Sequence, residues 1–184
     1  MEKGQKGYID HKKKLNLGIC IGFVFVIILL YVIGLLVFKT RNNYCTLVAV
    51  ILVLPFAKFL VNLIICFRAK AIDKDFYEKI RATNYPHTDF DLILSNKQNP
   101  VSIEALALDN NTLYLYTREK IDENFLRTNI KDFLSNVKID ANVNFISSEE
   151  KFIKELKSLN LKNRDEKEIA RTKYLEKQIL NMCV

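Results

Sequence analysis

Glycine is scarce in this chain and stops early: all five glycines lie before residue 35. Phosphate-binding loops need glycine where the backbone must approach a phosphate closely. The mixed-composition part of the chain therefore has no such loop. Histidine is scarcer still, with only His11 and His87, and the four cysteines (Cys20, Cys45, Cys66 and Cys183) contain no CxxC pair. Neither a zinc site nor a disulfide framework is supported. No Ser-His-Asp or Cys-His arrangement can be assembled with any specificity, and no cofactor is implied.

The first third of the chain chiefly lacks charge. Leu17 to Phe38 contains no charged residue, and Tyr44 to Phe67 contains only Lys58. A bilayer span needs about 20 mostly apolar residues at ~1.5 Å rise each, and both runs are long enough. A helix of a soluble core keeps a polar stripe where it meets water, whereas Leu17 to Phe38 is apolar all round. A cleaved signal peptide has a shorter apolar core, about 7 to 15 residues, followed by small residues. This run is longer and ends in Val37, Phe38 and Lys39. The prediction is a retained transmembrane α-hairpin with spans of about 17–38 and 44–67. The connection Lys39-Thr40-Arg41-Asn42-Asn43 is too short to join anything but antiparallel neighbours.

Basic residues flank the hairpin on one side. Lys3, Lys6, Lys12, Lys13 and Lys14 precede it and Arg68, Lys70, Lys74, Lys79 and Arg81 follow it, against two basic residues in the connection. Positive charge stays in the cytoplasm, so both termini are expected there, in a multi-pass protein of the cell membrane. The net charge of +7 is uneven: ten Lys+Arg face two Asp+Glu up to residue 71, and eighteen face nineteen beyond it. Basicity thus belongs to the membrane flanks, and no nucleic acid is expected. Anionic lipid headgroups are possible partners of these flanks, at roughly 1 kcal/mol per basic residue near the surface. Three regions follow: a basic cytoplasmic flank (1–16), the hairpin (17–71) and a cytoplasmic domain (72–184).

Within the spans, Gly18 and Gly22 form a small-xxx-small pattern suited to close helix contact, with the second span or another copy as partner. Pro55, Lys58 and Asn62, spaced three and four apart, share one face of the second span. Pro55 leaves the carbonyl of Ile51 without its helical donor, and an ionisable residue as deep as Lys58 is a functional candidate. Neither span contains Asp or Glu to relay protons, which argues against a pump.

Beyond Ala71, Ile72, Phe76 and Ile80 predict a short amphipathic helix continuing from the membrane and stopping near Asn84-Tyr85-Pro86. Strands follow at Phe90–Ser95, Val101–Leu108 and Leu113–Arg118, with a turn cluster over 96–100. Asp109-Asn110-Asn111-Thr112 makes the hairpin turn, since Asp and Asn tolerate positive φ. Ile121 to Val137 carries helical periodicity, and Ile139, Ala141, Val143 and Phe145 alternate as a strand. Ser147 and Glu150 suggest a capping box for a helix bearing Phe152, Ile153, Leu156 and Leu159. A charged last helix with a weak apolar pattern reaches about Leu180. The fold class is α+β: the α-hairpin, then a small mixed-sheet domain in the order α-β-β-β-α-β-α-α, with helices on one face.

Three chemical candidates arise. Asp89-Phe90-Asp91 is a DxD, the pair with which many glycosyltransferases hold a metal and a sugar nucleotide. The element order also matches restriction-endonuclease-like nucleases, for which Asp91 and Glu104 would be the metal-binding acids. There the position that needs lysine is Leu106. If the domain is an enzyme, Asp89, Asp91 and Glu104 are its metal residues. Arg81 and His87 have the spacing of a helical ribonuclease motif, but Pro86 breaks the helix that motif requires.

The opening Met1-Glu2-Lys3-Gly4-Gln5-Lys6-Gly7-Tyr8, the Lys39–Asn43 loop and Leu54-Pro55-Phe56-Ala57-Lys58 resemble a family of small two-span bacterial membrane proteins found chiefly in clostridia. The resemblance continues through Asp91-Leu92, Asp109-Asn110-Asn111 and Phe152-Ile153-Lys154, covering nearly the whole chain. Members are sometimes catalogued as O-linked GlcNAc transferase-like, which would imply glycosyl transfer. This chain lacks the size and the helical repeats of that enzyme, and the resemblance carries over no catalytic residue. The expectation is an integral membrane protein presenting an interaction or regulatory domain to a protein partner or a second copy. The alternatives are a nuclease-like or glycosyltransferase-like enzyme that has lost part of its machinery, and an oligomer with a path lined by Lys58.

Overall fold

The computed structural model describes residues 3–39, 44–94, 100–161 and 165–183. Residues 40–43, 95–99 and 162–164 lie outside them, and with them most of the connection, the turn cluster expected over 96–100 up to residue 99, and the start of the last charged segment. The chain forms two compact units, Asp10–Arg68 and Met1–Ile9 with Ala69–Val184.

The first unit holds α1 (Tyr8–Phe38) and α2 (Tyr44–Arg68). Helix α1 begins well before Leu17, because the polar segment from Asp10 to Asn16 continues the same helix, with Lys13 ion-paired to Asp10 at 3.6 Å. Buried and half-buried positions recur three and four apart: Asn16, Cys20, Phe23, Ile27, Leu30 and Gly34 on α1, and Ala49, Leu52, Phe56, Phe59, Leu63 and Cys66 on α2. This is the stripe of paired helices, and the rings of Phe23 and Phe59 stack across it at 5.7 Å. The remaining circumference is apolar and exposed, with Ile21 at 62% and Leu54 at 74%. Both helices are long and apolar enough to cross a membrane.

The second unit contains α3 (Lys74–Arg81), β1 (Thr88–Leu94), β2 (Val101–Asp109), β3 (Thr112–Tyr116), α4 (Glu123–Asn136), β4 (Asn142–Ile146), α5 (Glu149–Asn160) and α6 (Glu166–Met182). Strands run in the order β1-β2-β3-β4; the first three are antiparallel and β4 joins β3 in parallel. Helix α4 makes the crossover that a parallel pair requires. The β2–β3 turn uses a positive φ of 51° at Asn110, as its composition predicts.

Several details differ from the sequence expectation. Helix α3 does not run on from α2: Ala69 to Asp73 intervene, and the Asp73 carboxylate caps α3 by accepting from the Asp75 N–H at 3.1 Å. Strand β4 starts at Asn142 rather than Ile139, and the N-cap position of α5 is Ser148, which makes no side-chain capping bond, instead of a Ser147 box. Helix α6 packs firmly, burying Thr172, Leu175, Ile179 and Met182.

Helices cover both faces of the sheet, not one. Leu126, Ile130 and Leu134 of α4 and Leu175, Ile179 and Met182 of α6 share a core with Leu106, Leu108, Leu113 and Leu115. Phe76 and Ile80 of α3 and Phe152, Leu156 and Leu159 of α5 share another with Ala105, Ala107 and Tyr116. The reason lies in β2, where every residue from Val101 to Leu108 is buried, so both faces of that strand need cover.

Strict alternation also breaks once. Phe90 lies in the α3/α5 core but Leu92 in the α4/α6 core, and Ile103 and Ala105 part in the same way. The break falls on Asp91, whose φ of 53° reverses the strand's facing, and on Glu104, which the flanking register places opposite it.

Phe152 fills the centre of the α3/α5 core, with its ring centroid 6.0 Å from Phe76 and 5.9 Å from Tyr116. Phe152→Ala is expected to cost about 3–5 kcal/mol. Denaturant titration of the detergent-solubilised full chain, followed by near-UV circular dichroism, would check this.

Candidate functional site

The polar residues with the most specific surroundings lie where the chain leaves the domain for α1 and returns from α2. Asp91 is 1% exposed. Its carboxylate accepts the N–H of Gly7 at 2.5 Å and the N–H of Ile72 at 2.7 Å. One side chain at the middle of β1 thus holds the residue before α1 and a residue shortly after α2. Burying a charge is costly unless it is hydrogen-bonded, and these two amides supply the bonds.

The returning segment is held at three consecutive residues. The Ser102 hydroxyl donates to the Lys70 carbonyl at 2.8 Å and accepts the Lys70 N–H at 3.1 Å. Arg118 donates from a terminal nitrogen to the Ala71 carbonyl at 3.3 Å, and Asp91 takes the Ile72 N–H. Side chains of β1, β2 and the residue two beyond β3 thereby satisfy a backbone stretch that belongs to no strand.

Glu104 completes this support. It is 1% exposed, with the Arg118 Nε at 2.9 Å from Oε1 and 2.7 Å from Oε2. Its Oε1 also accepts the Arg118 N–H at 3.2 Å. The hydrogen bond to Glu104 is the main reason that Arg118 is held above its ordinary pKa. Arg118 can then aim its remaining donors at Ala71.

The outgoing segment is held just as specifically. Gly4 bridges Phe90, whose N–H donates to the Gly4 carbonyl at 2.8 Å. Gly4 has a φ of 87°, and a Cβ there would stand 2.2 Å from Asp89 Oδ1, so only glycine fits. The Lys3 ammonium donates to the carbonyl of Cys183 at the C-terminus of α6, where a cation is favoured. Lys6 stands 3.9 Å from the centroid of Tyr77, which meets Phe90 edge-on. Residues expected to be plain flanking charge are therefore parts of the domain.

Asp89 is buried beside Gly4, with no hydrogen-bond partner found for its Oδ2. Burial, reinforced by the carboxylate of Glu176 on α6, raises its pKa to about 7. Glu176 also lies 3.5 Å from His87 Nδ1.

Among the sequence-predicted site residues, Asp91 and Glu104 sit opposite each other, but each is engaged by a different partner. No three His, Cys, Asp or Glu side chains gather to hold a metal among the described residues, so Asp89, Asp91 and Glu104 do not form the metal set expected of an enzyme. In the hairpin, Pro55 and Lys58 are exposed and Asn62 is half-buried. Gly18 and Gly22 have nothing within 4 Å of where a Cβ would stand, so they lie off the α1–α2 contact. Sequence reasoning misses the roles of Gly4, Gly7, Ser102 and Arg118 in this junction. The available signal was Glu104, an acid inside an otherwise apolar strand, which demands a buried partner. Comparison with protein-family models, curated proteins and solved structures finds no match.

Asp91→Asn keeps one acceptor and tolerates the positive φ, whereas Asp91→Ala loses both bonds. At about 1.5–3 kcal/mol per hydrogen bond to a charged group, Asn is expected to cost roughly half as much as Ala. Hydrogen exchange should quicken at one of the Gly7 and Ile72 amides in Asn and at both in Ala.

Asp89 makes stability depend on pH. Unfolded, the carboxyl ionises near its ordinary value of 3.8; folded, it keeps its proton to about 7. Unfolding between these values releases a proton, so stability is full below 3.8 and falls as pH rises through 7, by on the order of 4 kcal/mol. Asp89→Asn is expected to abolish that slope, matching wild type at pH 4 and exceeding it at pH 8 in unfolding midpoint.

Proposed function

We propose that this is a two-span membrane protein whose α+β domain lies on the cytoplasmic side and serves as an interaction or regulatory module linked to the helical hairpin. The observation that carries this reading is the double use of Asp91, which ties Gly7 and Ile72 to one point on β1. A shift at either helix end pulls on that carboxylate, and with it on the strand where the sheet changes face. A change in the bilayer, or in a partner within it, then has a direct path into the domain.

The apolar circumference of α1 and α2 supports membrane insertion, because water does not favour so large an exposed apolar surface. The basic residues Lys12 to Lys14 and Arg68 support the cytoplasmic assignment of both termini. The resemblance to two-span bacterial membrane proteins points the same way. The transferase-like and nuclease-like readings have no comparable support, since Asp91 and Glu104 are engaged by backbone and arginine and position 106 is leucine.

Full-length protein should pellet with membranes after carbonate extraction. Impermeant PEG-maleimide should add a mass shift to Asn42→Cys in intact cells, and to Ser135→Cys only after permeabilisation. Recovery in the supernatant would overturn membrane insertion, and the reversed labelling pattern would overturn the orientation.

A further inference from the structure

Resting on that reading of a bilayer-inserted hairpin, we infer that the Lys58 face of α2 docks the transmembrane helix of a different protein, one carrying a carboxylate near mid-bilayer. Ile51, Pro55, Lys58 and Asn62 are spaced four, three and four apart, which aligns them as one stripe on α2. Ile51, Pro55 and Lys58 are exposed and Asn62 is half-buried, whereas residues of the α1 seam such as Ala49 and Leu63 are buried. The stripe therefore borders the α1 seam at Asn62, while Ile51, Pro55 and Lys58 face outward.

Depth decides what can satisfy the ammonium. Lys58 lies ~14 Å along the helix from Phe67 and ~21 Å from Tyr44, near the centre of a ~30 Å hydrocarbon layer. Its Cα–Cβ bond tilts toward the helix N-terminus, away from the nearer surface, which opposes an easy reach to headgroup phosphates. An ammonium left in hydrocarbon is costly, and such residues pair with opposite charge or with backbone carbonyls. Ion pairs among the described residues are all in other places.

A second copy cannot supply the pair. The chain has no Asp or Glu between Leu17 and Phe67, so two copies meeting on this face would set lysine against lysine. A foreign helix with one acid meets the need, and the stripe holds more than charge for it. Asn62 offers an amide donor one turn away, and Pro55 frees the Ile51 carbonyl, which would accept from the partner's carboxyl when protonated or from a neighbouring hydroxyl.

The test uses donor-labelled full-length protein in phosphatidylcholine vesicles and acceptor-labelled leucine-alanine helices of about 22 residues bearing Asp, Asn or Leu at the centre. Energy transfer should show the Asp helix associating about tenfold more tightly than the Leu helix. Lys58→Leu should erase the difference, and Lys58→Asp should transfer the preference to a helix with central Lys. Equal association of the Asp and Leu helices would overturn the inference. So would Lys58-dependent self-association, which points to a second copy, or loss of the Asp preference on adding a minor fraction of phosphatidylglycerol, which points to a headgroup. Vesicle flotation of wild type and Lys58→Leu separates the two levels. A chain that fails to float removes the membrane reading itself, whereas a chain that floats without discriminating removes only the docking.

Discussion

One carboxylate organises the junction on which the domain depends. Asp91 is buried, and an unpaired charge there would be intolerable, so the Gly7 and Ile72 amides must stay within hydrogen-bond reach of it. These amides flank a long excursion of the chain through α1 and α2. Their separation in sequence is large and their separation in space is small, and the same side chain enforces both facts. Its φ of 53° also turns β1 over, sending Phe90 to one core and Leu92 to the other.

The surrounding polar residues make sense as support for that arrangement. Ser102 and Arg118 take up the backbone of Lys70 and Ala71, and Glu104 steadies Arg118. On the outgoing side, Gly4 leaves room for Asp89, and Lys3 reaches the end of α6. Asp91, Ser102, Arg118, Glu104 and Lys3 each complete a backbone hydrogen bond or neutralise a buried charge, whereas the Asp89 Oδ2 has no partner found. A DxD pattern thus divides into two roles: Asp91 binds amides, and Asp89 is buried against glycine, where desolvation raises its pKa to about 7.

The hairpin obeys a different chemistry. Its inner seam is narrow and made of Phe, Leu, Cys and small residues, while most of its circumference is outward-facing aliphatic side chain. On such a surface one ammonium, Lys58, stands out among aliphatic side chains. Gly18 and Gly22, open on α1, belong to the same unpartnered outer surface.

Much of the architecture was legible in the chain alone. Two long apolar runs, the first without a charge and the second with only Lys58, read as membrane-length helices, and the α-β-β-β-α-β-α-α order follows from the change between helical and strand periodicity. The Asn-Asn turn was visible for the same local reason: few residues accept positive φ. Helix faces and strand faces were less legible, since β2 is buried on both sides and a wholly apolar strand carries no alternation to read. The weak stripe of α6 concealed four buried positions for a similar reason. The junction was decided by tertiary structure alone. No local pattern in Gly4, Gly7, Ser102 or Arg118 announces a partner, because the bonds they make or support join residues far apart in sequence. Length, periodicity and turn chemistry are local and are written in neighbouring residues. The partner of a buried charge is set by which backbone groups the folded chain brings beside it.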